Sequence, residues 1–498
     1  MSSVYKTLEQ NFARISTLEE INAMLGWDMQ TMMPKNSGTG RAQQMSEIQG
    51  LIQDTLQNPE LPDQLDEAER DNKLDDWQRA NIREMRRIWI HINAVPKDLQ
   101  QALIHARLQS ELIWREARPK NDFKSLQPAL QKVLDLLREQ ARIKSSALRC
   151  SVYEALMDEY EPGLRTPDLD RIFGDLLKFL PGFMREVMDR QARAKIPPVP
   201  SGPFAVDKQK TLCLQLMHQA GFDFDQGRLD VSAHPFCGGV VDDIRITTRY
   251  REDDFIQSLM SLMHETGHAL YEFGLPKGWR YQPVGKARGM AMHESQSLLI
   301  EMQASRSREF LNYVAPLLQQ AFPEHRDVLT GKNIYAWQTK VEPSLIRVEA
   351  DEVTYPLHII LRYRLERAMI EGDLDIADLP DAFNQGLKEL LGVTPADDRN
   401  GCMQDVHWPS GAFGYFPTYT LGAMIAAQLF AAAERAYPNI RADLGRGDFT
   451  SLLKWLRENV HGKASLLSTT ELIKSATGET LNAEIFKLHL RRRYLEAA

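Results

Sequence analysis

Apolar residues recur at threes and fours, with charges between them, through most of this 498-residue chain. That spacing commits the chain to packed amphipathic helices. LDDWQRANIREMRRIWIHINAV (74–95) and LQPALQKVLDLLREQARIKSSAL (126–148) show it plainly, and 257–273, 297–320 and 450–460 repeat it. Strand-like alternation is scarce. In DDIRITTRY (242–250), Ile244 and Ile246 alternate with Asp243, Arg245 and Thr247, which suits an edge strand with a wet face or a strand lining a cleft. The expectation is a mainly α fold with one small sheet. IPPVPSGPF (196–204) is the one linker-like stretch, because its prolines cannot continue a helix. It divides a helical part, 1–195, expected to form a wall or lid, from a part at 205–498 that holds the chemical motifs; the two are expected to make one structural unit.

A formal charge of −8 argues against general nucleic-acid binding, which rewards excess Lys and Arg. Cys150, Cys213, Cys237 and Cys402 are far apart and form no CxxC pair, so free thiols in a reducing compartment are expected. The N-terminal MSSVYKTLEQNFARISTLEE lacks a signal-peptide core, and no run of about 18 apolar residues occurs. A cytoplasmic location follows as an expectation.

HETGHALYE (264–272) carries the chemistry. Asp253 or Asp254 can cap the start of its helix, and Gly274 and Pro276 stop it after Phe273. His264 and His268 stand one turn apart on one face, about 6 Å of rise, a span two imidazoles can close onto one ion. Glu265 sits one position round, placed to touch a water on that ion as general base. The third His of a metzincin is absent, since residue 274 is Gly. A carboxylate from a following helix is then required. MAMHESQSLLIEMQ (290–303) offers Glu294, the favoured ligand for its polar neighbours His293, Ser295 and Gln296, and Glu301 two turns on. Glu272 reads as a surface or supporting group.

Further polar residues suit a substrate site. His234 lies in the loop HPF (234–236), and Arg245 could reach a carboxylate from its strand. IRVEAD (346–351) has helical spacing, so Arg347 and Asp351 could pair at i, i+4. GCMQDVHW (401–408) crowds Gln404, Asp405 and His407 beside Trp408, ahead of the loop-like PSGAFGYFPTYTLG (409–422). Tyr415 and Tyr419 there are candidate hydroxyl donors to an oxyanion, with His407 as a third.

Taken in order, HPF, DxRxT (243–247), HExxH, HESQ (293–296), IRxxAD and GxxQDxHW, with LGWDMQTMMP (25–34) before them, resemble the carboxypeptidase Taq family of metallocarboxypeptidases. The likeness covers nearly the whole chain. It implies a helical fold with a deep groove, similar to neurolysin and angiotensin-converting enzyme, and a homodimer. It implies release of single residues from peptide C-termini with broad specificity. His264, His268 and Glu294 would hold one Zn2+, which Co2+ can replace in some members, and Glu265 would be the catalytic base. A free C-terminal carboxylate needs a cation, for which Arg347 is the first choice and Arg245 the second. His234, Asp351, Gln404 and Asp405 complete the expected substrate contacts. The alternative is a neurolysin-type zinc endo-oligopeptidase on the same fold.

Overall fold

The computed structural model describes residues 3–496. Helices dominate, as the periodicity requires: 74–95 forms Asp76–Asn93, 126–148 forms Phe123–Leu148, and 450–460 forms Thr450–Asn459. Among the described residues no helix is long and apolar enough to cross a membrane. The largest apolar core runs from Val95 to Tyr494 and includes residues on both sides of the proline-rich stretch. A separate cluster from Tyr5 to Met85 packs the first helices together.

Five helices and three strands bear on the site: α1 (Ser3–Thr31), α2 (Phe255–Phe273), α3 (Met290–Leu298), α4 (Tyr355–Glu371) and α5 (Pro417–Ala436), with β1 (Gly227–Val231), β2 (Cys237–Val240) and β3 (Asp243–Thr248). The sheet order is β1-β3-β2. β3 pairs parallel with β1, Gly227 opposite Ile244, and antiparallel with β2, Cys237 opposite Ile246. The strand foreseen as an edge or cleft lining is therefore the middle one. Its Ile244 and Ile246 are buried in a small core with Leu262 and Ala269 of α2, which ties the sheet to the histidine helix. The edge that meets the cleft belongs to β2 and the residues before it. Gly239, at φ +89, allows that close pairing, because a Cβ there would lie 2.1 Å from the Asp243 carbonyl oxygen.

The helix expected over 297–320 is broken. α3 passes into a π turn at Leu299–Ser305, and a new helix starts at Arg308 behind Ser307, whose hydroxyl caps it by accepting from Phe310 N. The wider turn changes where Glu301 points relative to Glu294. Nor is 346–351 an α-helix: only Arg347–Glu349 form a 3-10 turn. The run 409–422 is a loop to Phe416, but Pro417 opens α5, so Tyr419 lies on a helix.

Candidate metal centre and its cleft

α2 begins where Asp254 accepts from the backbone of Ile256 and Gln257, and it ends at Gly274. That glycine is right-handed, with φ −89. It serves by being small, since a Cβ would meet His461 at 2.5 Å. One turn apart on α2, the rings of His264 and His268 lie 4.9 Å apart and nearly perpendicular. Glu294 of α3 brings Oε2 to 3.8 Å from His264 Nε2 and 3.6 Å from His268 Nε2.

Two glycines make this meeting possible. A Cβ on Gly267, between the two histidines, would lie 2.5 Å from the Gln296 carbonyl oxygen and 2.6 Å from Ser297 Cα, so only glycine lets α3 approach α2 so closely. A Cβ on Gly422 of α5 would lie 2.7 Å from Glu294 Cγ. The glutamate stem thus occupies a slot that a side chain on α5 would fill.

The donor set fits a divalent cation. Atoms of His264, His268 and Glu294 all lie within 4.8 Å of one another. A tetrahedral ion with bonds of about 2.0–2.1 Å separates its ligands by about 3.3 Å, close to the distances found. Sequence context favours Glu294 over Glu301, and the two carboxylates have different places in the structure. Glu301 lies 2.9 Å from His264 Nδ1, the far side of the ring, and accepts from Arg306 at 2.6 Å. It holds the ring of a candidate ligand, as carboxylates beside metal-binding histidines do. On His264, burial opposes charge, but Glu294 and Glu301 outweigh it and push the imidazole up to about 10. That surplus of negative charge suits a cation. His268 is held neutral by burial and by its His293 and His264 neighbours. Burial pushes the Glu265 carboxyl up to about 7, against His264 and with help from Glu294 and Glu301.

The site opens into a cavity of about 1000 Å³ that Glu265, Glu301, Arg347, Tyr355, Tyr415 and Tyr419 also line. Arg347 is 5% exposed. Its Nε and Nη2 donate to Asp405 Oδ1 at 3.0 and 2.8 Å, and its Nη1 donates to Tyr355 Oη at 2.6 Å. Arg362 of α4 donates to the other Asp405 oxygen at 2.7 Å. Two guanidinium groups share one carboxylate, and Arg347 is the one of the pair that lines the cavity.

The remaining candidates fall elsewhere. Arg347 does not pair with Asp351, because the segment is not an α-helix. Asp351 instead caps its own turn, accepting from the backbone of Glu342, Val353 and Thr354. Gln404 accepts from Arg347 N at 2.8 Å and donates to Leu345 O, Asn400 O and Gly401 O. Gln404 and Asp405 therefore hold Arg347 and do not line the cavity. Arg245 is spent on Asp243, and His234 is exposed; neither lines the cavity, whereas Pro235, Phe236 and Cys237 do. His407 is behind Tyr419, with Nε2 3.2 Å from its hydroxyl. Burial keeps His407 neutral, near 4, and its Nδ1 has no partner. A bare acceptor is the cheaper orphan, so Nε2 carries the proton and donates to Tyr419, whose hydroxyl also bonds that of Tyr415. Tyr355 carried no motif, and nothing in the sequence singles it out.

Two imidazoles and a carboxylate on the wall of a cavity, with a second carboxylate beside them, make the donor set of a metal-dependent hydrolase. The chain belongs to the carboxypeptidase Taq (M32) metallopeptidase family, which it matches over residues 7–494. It is 36% identical to thermostable carboxypeptidase 1 of Thermus thermophilus, over 99% of this chain and 98% of that protein. Trypanosoma cruzi metallocarboxypeptidase 1 superposes with a TM-score of 0.97 at 41% identity, covering 99% of each chain. The M32 carboxypeptidase from Deinococcus radiodurans R1 does so with a TM-score of 0.94 at 33% identity, again over 99% of each. The chain is thus a metallocarboxypeptidase. The alternative of an endo-oligopeptidase finds no support among these relatives.

Proposed function

We propose that this metallocarboxypeptidase is zinc-dependent and removes single residues from the free C-termini of peptides, with His264, His268 and Glu294 as ligands and Co2+ as a workable substitute. The observation that carries this reading is Arg347, which shares the Asp405 carboxylate with Arg362 and lines the cavity that also holds the candidate metal ligands. A guanidinium can grip a terminal carboxylate through two parallel bonds. It would then hold the last peptide bond toward Glu265. Apolar lining from Phe236, Met260 and Leu298 suits broad side-chain tolerance.

A bound divalent cation lowers the pKa of water and polarises a carbonyl oxygen. Glu265 takes the proton of the attacking water and passes it to the leaving amine. Tyr419, held by His407, and Tyr415 beside it donate to the oxygen on which charge develops. We read the helical walls as an arrangement akin to neurolysin and angiotensin-converting enzyme, with 1–195 as one wall or lid and 205–498 as the catalytic part of one unit. A cytoplasmic homodimer is part of the same reading; four unpaired cysteines suit a reducing compartment.

Arg347→Gln tests the substrate assignment. Loss of a charge-assisted bond worth about 1.5–3 kcal/mol should raise KM for a free-carboxylate peptide by about tenfold to a hundredfold, with zinc content intact. An unchanged KM in a folded variant overturns Arg347 as the anchor.

A further inference from the structure

The two histidines of α2 are supported differently. His264 turns its Nδ1 directly to a carboxylate, Glu301. His268 turns its Nδ1 to another imidazole: His293 Nδ1 lies 2.6 Å away, and His293 Nε2 lies 2.8 Å from Glu272 Oε1. Glu272 is one turn after His268 on the same helix, and His293 of α3 stands between them.

Only one proton arrangement satisfies all three groups while leaving His268 free to bind. Two Nδ1 atoms at 2.6 Å need one proton between them. A neutral His268 that offers its Nε2 lone pair must carry its proton on Nδ1. His293 Nδ1 is then the acceptor, so the His293 proton is on Nε2, where the Glu272 carboxylate receives it. Both His293 nitrogens are engaged, so it has none left for a metal. Its place is fixed by the start of α3. Ala291 N donates to the buried Glu161 at 2.9 Å, Met290 N donates to Tyr160 O at 2.7 Å, and Gly289 packs against the Glu161 carboxylate.

We propose that His293 is a positioning residue: it accepts the Nδ1–H of His268, and Glu272 holds it in the one tautomer that can do so. The pair thereby fixes the ring through which His268 binds the metal. This inference rests on the zinc reading above, because it concerns which nitrogen of His268 is bare.

Asparagine and glutamine separate the acceptor from bulk and from the Glu272 contact. His293→Asn places an amide oxygen where Nδ1 stands. His293→Gln places its amide near the Nε2 position and leaves His268 without an acceptor. His293→Phe keeps the ring and removes both nitrogens. Zinc release from the loaded protein is followed with a chromogenic chelator, and folding of each variant is checked by circular dichroism. Removing an outer hydrogen-bond partner typically weakens metal binding about 10–100-fold. The Gln and Phe variants should therefore release zinc about 10–100-fold faster than wild type, and Asn within about threefold. Zinc held as firmly by Phe as by wild type would reduce His293 to packing, and Asn releasing as fast as Gln would dismiss the acceptor role. If substitution prevents folding, histidine-ring proton–nitrogen NMR of the zinc-loaded wild type decides. Protons on His268 Nδ1 and His293 Nε2 support the proposal, and a proton on His293 Nδ1 overturns it. A wild type that takes up no zinc fails at the metal reading itself, a result distinct from any of these.

Discussion

At the level of single side chains, Glu265 and Glu294 are both carboxylates beside the same two histidines, yet only Glu294 puts an oxygen within 4 Å of both Nε2 atoms. Glu265→Gln should therefore keep zinc while turnover falls by about 10²–10⁴-fold, the range of general acid–base catalysis; elemental analysis beside kcat checks it. Asp405 makes a second prediction. Burial works against its charge, but Arg362 and Arg347 hold its carboxyl far below the usual carboxylate range. A depressed folded-state pKa gives stability that is complete above the unfolded value of about 3.9 and is lost as pH falls below it. Asp405→Asn should cost about 3–5 kcal/mol at pH 7, since it strands two buried guanidinium groups. That deficit should shrink progressively below about pH 4 in urea titrations run at a series of pH values. Neither Asp405 nor Tyr355 could be assigned its place from sequence: Asp405 is 58 residues from Arg347, and which arginine it meets is decided by packing.

At the level of elements, the histidine helix was legible because its signals are local. A capping aspartate, an i, i+4 histidine pair and a stopping glycine all act within one segment. The π turn after α3 was not, because its apolar spacing reads as continuous helix over 297–320. Sequence context ranks Glu294 above Glu301, but it is the turn that separates their positions. β3 was recognisable as a strand, whereas its central position depends on partners such as Gly227 and Gly239 that no alternation marks. Gly267 lies inside the HExxH motif at a position the motif leaves open, yet it sets the contact of α2 with α3. Gly267→Ala should push the helices apart against unyielding backbone. Zinc affinity should drop at least about tenfold, as when a supporting partner is lost, in a chain that still folds by circular dichroism. Equal zinc affinity, read by competition with a chelating dye, would mean that the helix spacing does not set the site.

At the scale of the whole molecule, the candidate ligands come from two helices, the slot for Glu294 from a third, and the proposed anchor Arg347 from a distant turn held by Asp405. The helical class and the small sheet could be read from periodicity, and the motifs named three residues whose donor atoms come together. The shape of the cleft could not, because Arg347, Tyr355, Tyr415 and Tyr419 meet the metal ligands only in the folded chain. On the proposed assignment the direction of attack depends on that shared cavity: metal at one place, a cation for a terminal carboxylate at another. The most direct measurement is mass spectrometry of one peptide in two forms, free acid and C-terminal amide, incubated with the enzyme with and without chelator. The free acid should lose residues one at a time from its C-terminus, the amide should stay intact, and chelator should stop the reaction until zinc is restored. Internal cleavage of the amide, or trimming that survives chelation, would contradict the account.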